Sequence, residues 1–179
     1  SAEFKALNDI AKEMGANTEW SANQAAKALE FLGMAGFTAS QSVSALPGVL
    51  DLATAGNLDL ARAADIVSDG LTAMGMRVDE LSHFNDVLAK TVTSSNTNIR
   101  MMGESLKYVA PVAKNVGMNI EDVSALLGTM ANAGLKSGQA GRQLRSALLG
   151  MDKAAKSTGV TFTAQEKGYE RLTKVLKAM

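Results

Sequence analysis

His83 is the only histidine in this 179-residue chain, and it lies among Asp79, Glu80, Ser82 and Asp86. A histidine near a hydroxyl and carboxylates is the raw material of nucleophilic catalysis: one group attacks, one takes the proton, one orients. The spacing argues against that use. Asp79 and His83 stand at i and i+4, which makes a surface pair on a helix, whereas a triad needs three groups converging on one point. The paired carboxylates Asp79-Glu80 and Glu121-Asp122 suit helix starts better than acid–base work, because negative charge is favoured in a first helical turn.

The run Gly138-Gln139-Ala140-Gly141-Arg142 brings a phosphate cradle to mind. It lacks the preceding strand and the Lys-Ser/Thr ending of a P-loop, so close helix packing at Gly138 and Gly141 is the better account. No zinc-protease, calcium-loop or Walker pattern occurs. With no cysteine in the chain, disulfides, thiol catalysis and cysteine-ligated metals are excluded. The reading is of a non-enzymatic chain with no catalytic, cofactor or metal site and no small-molecule substrate.

The elements that carry these residues read as all-α. Apolar residues make up 46% of the chain but aromatics only 4%, so alanine, leucine and methionine, all helix formers, supply the core. The periodicity predicts seven to nine helices packed as hairpins. A first helix covers 3–14, with Gly15 as its stop and Asn17 or Thr18 capping the next. The second runs from Trp20 to Ala35, and Gly36 ends it before Thr38 or Ser40 caps the third. The segment 40–55 holds Pro47, which predicts a kink or break near Ala45. Asn57 opens a helix whose core stripe is Leu60, Ala64, Val67, Leu71 and Met74. Leu81, Phe84, Leu88 and Val92 mark the next. The polar run 93–98 reads as a loop. Helices then follow at 99–116, interrupted by Pro111, at 120–133, and from Gly134 through Met151. Lys156-Ser157-Thr158-Gly159 reads as a linker, and 164–178 as a final basic helix. The domain reading is a helical module over 1–155, with a sub-boundary at 93–98, followed by 156–179.

Charge divides along the chain. Residues 1–90 carry −6 and residues 91–179 carry +6, for a net of zero. Acidic and basic halves can stack copies head to tail, or can be two solvated faces of different composition. The basic half offers a surface for nucleic acid, although Phe162 and Tyr169 give thin aromatic support for stacking on bases. The ten methionines suit either core or adaptable contacts with partner helices. No apolar run reaches the 18 or so residues of a membrane span. Ser1-Ala2-Glu3 has neither an initiator methionine nor a signal-peptide pattern, and reads as the edge of a longer protein.

One unit occurs twice. Ala35-Gly36-Phe37-Thr38-Ala39-Ser40-Gln41 returns as Ala133-Gly134-Leu135-Lys136-Ser137-Gly138-Gln139, each after a helical stretch. Gly15, Gly75 and Gly117 likewise precede acidic residues that begin the next element. Residues 15–50 and 117–148 therefore read either as a weak internal repeat of one hairpin or as the ordinary reuse of glycine stops.

Ordered residues carry a family resemblance. Leu106-Lys107-Tyr108-Val109-Ala110-Pro111-Val112-Ala113, then Gly117, Asp122, Ala133-Gly134, Ser137, Gly141, Leu144 and Arg145, resemble the core region of phage tail tape measure proteins of the TP901 type. Ala35-Gly36, Leu52-Ala53, Asp59-Leu60 and Ala63-Ala64-Asp65-Ile66-Val67 resemble the earlier part of that region. The likeness spans about 15–151. It departs where the family usually has Ala-Gly-Thr before Leu-Arg, because Arg142-Gln143 follows Gly141 here. The resemblance implies a structural module of a long helical chain whose copies run inside the growing tail tube and set its length, and which leaves ahead of the DNA at infection. Implied partners are other copies, tail tube proteins, tail assembly chaperones and DNA near the tube lumen. The implied location is the virion tail interior, with the host cytoplasm during assembly. Some such chains also carry wall-degrading domains, but no residues here point to one.

Overall fold

A computed structural model describes residues 2–159 together with positions 170, 174 and 177. Those residues form eight α-helices and one 3-10 turn, with no strand among them. The helices are α1 (Ala2–Asn17), α2 (Ala22–Met34), α3 (Ala39–Gly56), α4 (Leu60–Met74), α5 (Leu81–Ser94), α6 (Ile99–Asn115), α7 (Ile120–Asn132) and α8 (Ser137–Thr158), with the 3-10 turn at Val78–Glu80 before α5. The helix expected at 164–178 lies outside the described residues apart from positions 170, 174 and 177.

The chain divides into two compact units, one of Ser1–Thr72 and Met76–Asp86, the other of Ala73–Gly75 and Val87–Met179. The units sharpen the charge division. The first holds twelve carboxylates against five lysines and arginines, net −7, and the second six carboxylates against thirteen lysines and arginines, net +7.

In the first unit α1, α2 and α3 pack pairwise on one another. Their core is small and aliphatic: Ala25, Ala28 and Leu32 of α2 and Leu46, Val49 and Leu50 of α3 are all at most 1% exposed. Each fully buried leucine contributes about 1.5–3 kcal/mol. The predicted stripe of α4 is buried throughout. Gly70 lets α4 approach the fully buried Phe84 of α5, since a Cβ there would lie 2.4 Å from the ring. In the second unit α6, α7 and α8 also pack pairwise, most extensively between α6 and α8.

One connector design recurs five times. A residue in the left-handed region ends a helix, an apolar residue follows, and the next residue begins the following element. The trios are Gly36-Phe37-Thr38, Asn57-Leu58-Asp59, Gly75-Met76-Arg77, Gly117-Met118-Asn119 and Gly134-Leu135-Lys136. In each, the apolar residue's N–H reaches back five residues, as in Phe37 N–H to Leu32 O (3.1 Å) and Leu135 N–H to Met130 O (2.9 Å). That bond satisfies a carbonyl that the helix end would otherwise strand. Thr38, Asp59 and Asn119 then accept the N–H of the residue three positions on. The two copies of the unit share the geometry of the turn that ends their first helix. Helices α2 and α7 each have 13 residues, and Gly36 and Gly134 sit at φ 93° and 89°.

Several expectations need correction. Gly15 does not end α1, which continues to Asn17. It is instead a close-approach site, because a Cβ would lie 2.5 Å from Ala22 N. The cap of α2 is Ser21, in a reciprocal pairing with Gln24. Glu19 precedes that helix and accepts a hydrogen bond from Thr54 Oγ1 (2.6 Å), which itself accepts from Trp20 Nε1 (3.0 Å). Asn57 ends α3 in the left-handed region at φ 46° rather than opening α4. Neither Pro47 nor Pro111 breaks its helix. Each removes one N–H, leaving the carbonyl four residues earlier without its usual partner, and burial of the rest of the helix outweighs that loss. Lys156, Ser157 and Thr158 belong to α8, which stops at Gly159 at φ 69°.

Alanine substitution separates backbone conformation from contact. Neither Gly33 nor Gly36 has a neighbour within 4 Å of a built Cβ, but only Gly36 has positive φ. Gly33→Ala is expected to raise unfolding free energy by about 0.5–1 kcal/mol, and Gly36→Ala to lower it by about 1–2 kcal/mol. Urea denaturation of the two variants checks the sign of each.

Candidate functional site

His83 lies exposed on α5. Asp79 pairs with the Arg77 guanidinium, and the Arg77 N–H donates to Glu80 Oε2 at 2.7 Å. These carboxylates close the start of the 3-10 turn. Glu121 and Asp122 likewise occupy the first turn of α7. Among the described residues no three His, Cys, Asp or Glu side chains are grouped to hold a metal ion. No described helix is long and apolar enough to cross a membrane.

The residues singled out by sequence fall into two structural roles. Ala35 and Ala133 are the C-cap residues that directly follow α2 and α7. Gly36, Gly117 and Gly134 are the left-handed residues that follow such ends. Ala110, Pro111, Gly141, Leu144 and Arg145 belong instead to α6 and α8. Ala110 is fully buried and Leu144 nearly so, whereas Pro111 and Arg145 face outward.

The crossing of α6 and α8 is the most specific geometry in the second unit. A Cβ at Gly141 would lie 2.2 Å from the Ser105 carbonyl oxygen and 2.9 Å from its carbon and Cα. Those are backbone atoms of α6, so no side-chain rotation relieves the clash, and glycine is required for the helices to come this close. Next to it, the single Ser105 Oγ–H is shared between Ser137 O (2.7 Å) and Met101 O within its own helix (3.0 Å). Ser137 sits at φ 56°, where a side chain costs roughly 1–2 kcal/mol. The bond from buried Ser105 to its carbonyl holds the peptide in that orientation. Gly138 lies under the Tyr108 ring, and the Arg142 guanidinium stands 4.9 Å from the ring centroid. A cation over a partly exposed ring contributes about 0.5–1 kcal/mol.

The expectation of close packing at Gly138 and Gly141 thus finds its partners, Ser105 and Tyr108, on α6. Sequence reasoning gave Tyr108 only as part of the family run and missed Ser105. A serine within a helix and a tyrosine of mixed exposure carry no signal of their own, and only the register between α6 and α8 selects them. Arg142, where the sequence departs from the family pattern, is the residue that stacks on Tyr108.

Glycines within α8 give the test of this contact. Gly141→Ala is expected to destabilise the chain by about 1–3 kcal/mol through overpacking. Gly150→Ala, with nothing within 4 Å, should stabilise it by about 0.5–1 kcal/mol through helix propensity. Ser105→Ala should cost about 1 kcal/mol. Thermal melts followed by circular dichroism rank the three.

Comparison with known proteins supplies the family. The family model described as phage-related minor tail protein matches residues 8–179. The tape measure protein of Pneumococcus phage Dp-1 is 40% identical over 155 residues, covering 87% of this chain and 14% of that protein. The probable tape measure protein of Escherichia phage P2 is 32% identical over an alignment of 187 residues, covering 100% of this chain and 23% of that protein. The chain therefore spans less than a quarter of the length of either relative. No solved structure matches it.

Proposed function

Because the chain belongs to the phage-related minor tail protein family and is part of a phage tail tape measure protein, we propose that it is a structural module in tail assembly and tail length determination. The observation that carries this reading is the family match across nearly the whole chain. The relatives bearing the tape measure name support it. In this reading the module resides within the tail tube of the virion and passes through the host cytoplasm during assembly. Its partners are other copies, tail tube proteins, tail assembly chaperones and DNA near the lumen during ejection.

The geometry refines what such a module contributes to length. A continuous helix over 15–151 would measure on the order of 200 Å at 1.5 Å per residue. The described helices instead pack back on one another within each unit, so each unit spans far less than its own residues would as one continuous helix. Length is then a property of the whole protein, to which this segment adds a folded node with defined helix ends.

In-frame deletion of the codons for 15–151 from the full-length gene tests the proposal. Electron microscopy of the resulting particles is expected to show tails shortened by no more than about 200 Å. Tails of unchanged length would overturn it.

A further inference from the structure

We infer that copies of this chain associate head to tail, the basic outer face of α8 in one copy seating on the acidic first unit of another. This deepens the reading in which other copies are partners and rests on it for that partner, whereas a chain that stays monomeric would leave the family assignment untouched.

The basic face follows from helical spacing. Helix α8 buries Ala140, Leu144, Leu148 and Ala155. At 3.6 residues per turn the opposite side carries Arg142, Arg145, Lys153 and Lys156, all exposed. These four cations extend over about 21 Å of helix. In their midst is Leu149, 42% exposed.

The acidic face arises on α4. Most of that helix is buried, and its exposed positions are Asp65, Asp69 and Thr72, at i, i+4 and i+7. Asp59 is exposed just before the helix. Local partners of individual side chains do not alter the balance, because the first unit keeps its net −7 and the second its net +7.

Two observations favour a second copy over a nucleic acid as the occupant of the basic face. The same chain carries an equal acidic charge and is neutral as a whole, so it offers a polyanion no net attraction at long range. An exposed leucine among the cations also suits a protein surface with aliphatic content better than a phosphate backbone. Each copy presents one face of each sign, so the contact is heterologous and can continue from copy to copy.

Sedimentation velocity of the 179-residue chain tests the inference at about 0.02 M and about 0.5 M salt, where screening lengths differ severalfold. Association is expected at low salt and a monomer at high salt. The triple variant Arg145→Glu, Lys153→Glu, Lys156→Glu leaves the Arg142–Tyr108 stack intact. It should weaken self-association by about tenfold or more, as should the double variant Asp65→Lys, Asp69→Lys. Mixing the two variants pairs an unaltered acidic unit with an unaltered basic face, and should restore a complex that neither forms alone. Circular dichroism confirms that both variants keep their helices. A monomer at low salt, association that survives both reversals, or a mixture that fails to associate overturns the inference. So does a monomeric chain whose α8 face binds a labelled DNA duplex, which would assign that face to nucleic acid.

Discussion

The fold depends on how each helix disposes of its last carbonyls. A helix end leaves several without partners, and this chain answers five times with one device: a left-handed residue, then an apolar residue whose N–H turns back five positions. The device fixes helix length and turns the chain sharply. It also places an apolar side chain at the corner, where Leu58 and Met118 are buried. Hairpins therefore arise from local bonding, and the pairing of α2 with α3 and of α6 with α7 and α8 follows from the directions those turns impose.

Packing supplies the second level of specification. Local turns determine that α7 leads into α8, but not how closely α8 approaches α6. Gly141 against the Ser105 backbone settles that distance, and the Ser105–Ser137 hydrogen bond settles the register. Ser137 accepts an unfavourable backbone conformation there, and a buried hydroxyl holds it. Arg142 adds the stack on Tyr108 at the rim of the same contact. Neighbouring residues of α8 thus do different work: Gly141 faces inward for closeness, while Arg142 and Arg145 face outward and carry charge.

Much of this was legible in the chain itself, for reasons that differ by residue. The stops at Gly36, Gly75, Gly117 and Gly134 could be read because few residues other than glycine take positive φ readily. The burial of Leu60, Ala64, Val67, Leu71 and Met74 could be read because the period of a helix is strict. Asn57 was misread because asparagine serves equally well before a helix and in a left-handed stop. Gly15 was misread because the need for a missing Cβ came from Ala22 across a turn, not from its own dihedral angles. The prolines were given too much weight. Their local cost is fixed, whereas the burial that opposes it in α3 and α6 depends on residues distant in sequence. Ser105 and the packing role of Tyr108 stayed invisible because a helix crossing is defined by two helices at once. The site was legible in its glycines and not in what they admit.

The shared connector also bears on how such a chain can lengthen over generations. Every bond that closes a turn is made within the turn or the helix before it, so a hairpin bounded by two such turns asks nothing of the segments on either side. An in-frame tandem duplication of one hairpin would then insert a ready-made element with correct ends, needing only an apolar face to cover. The paired 13-residue helices α2 and α7, each closed by the same three-bond turn, have the form that such a duplication would leave behind.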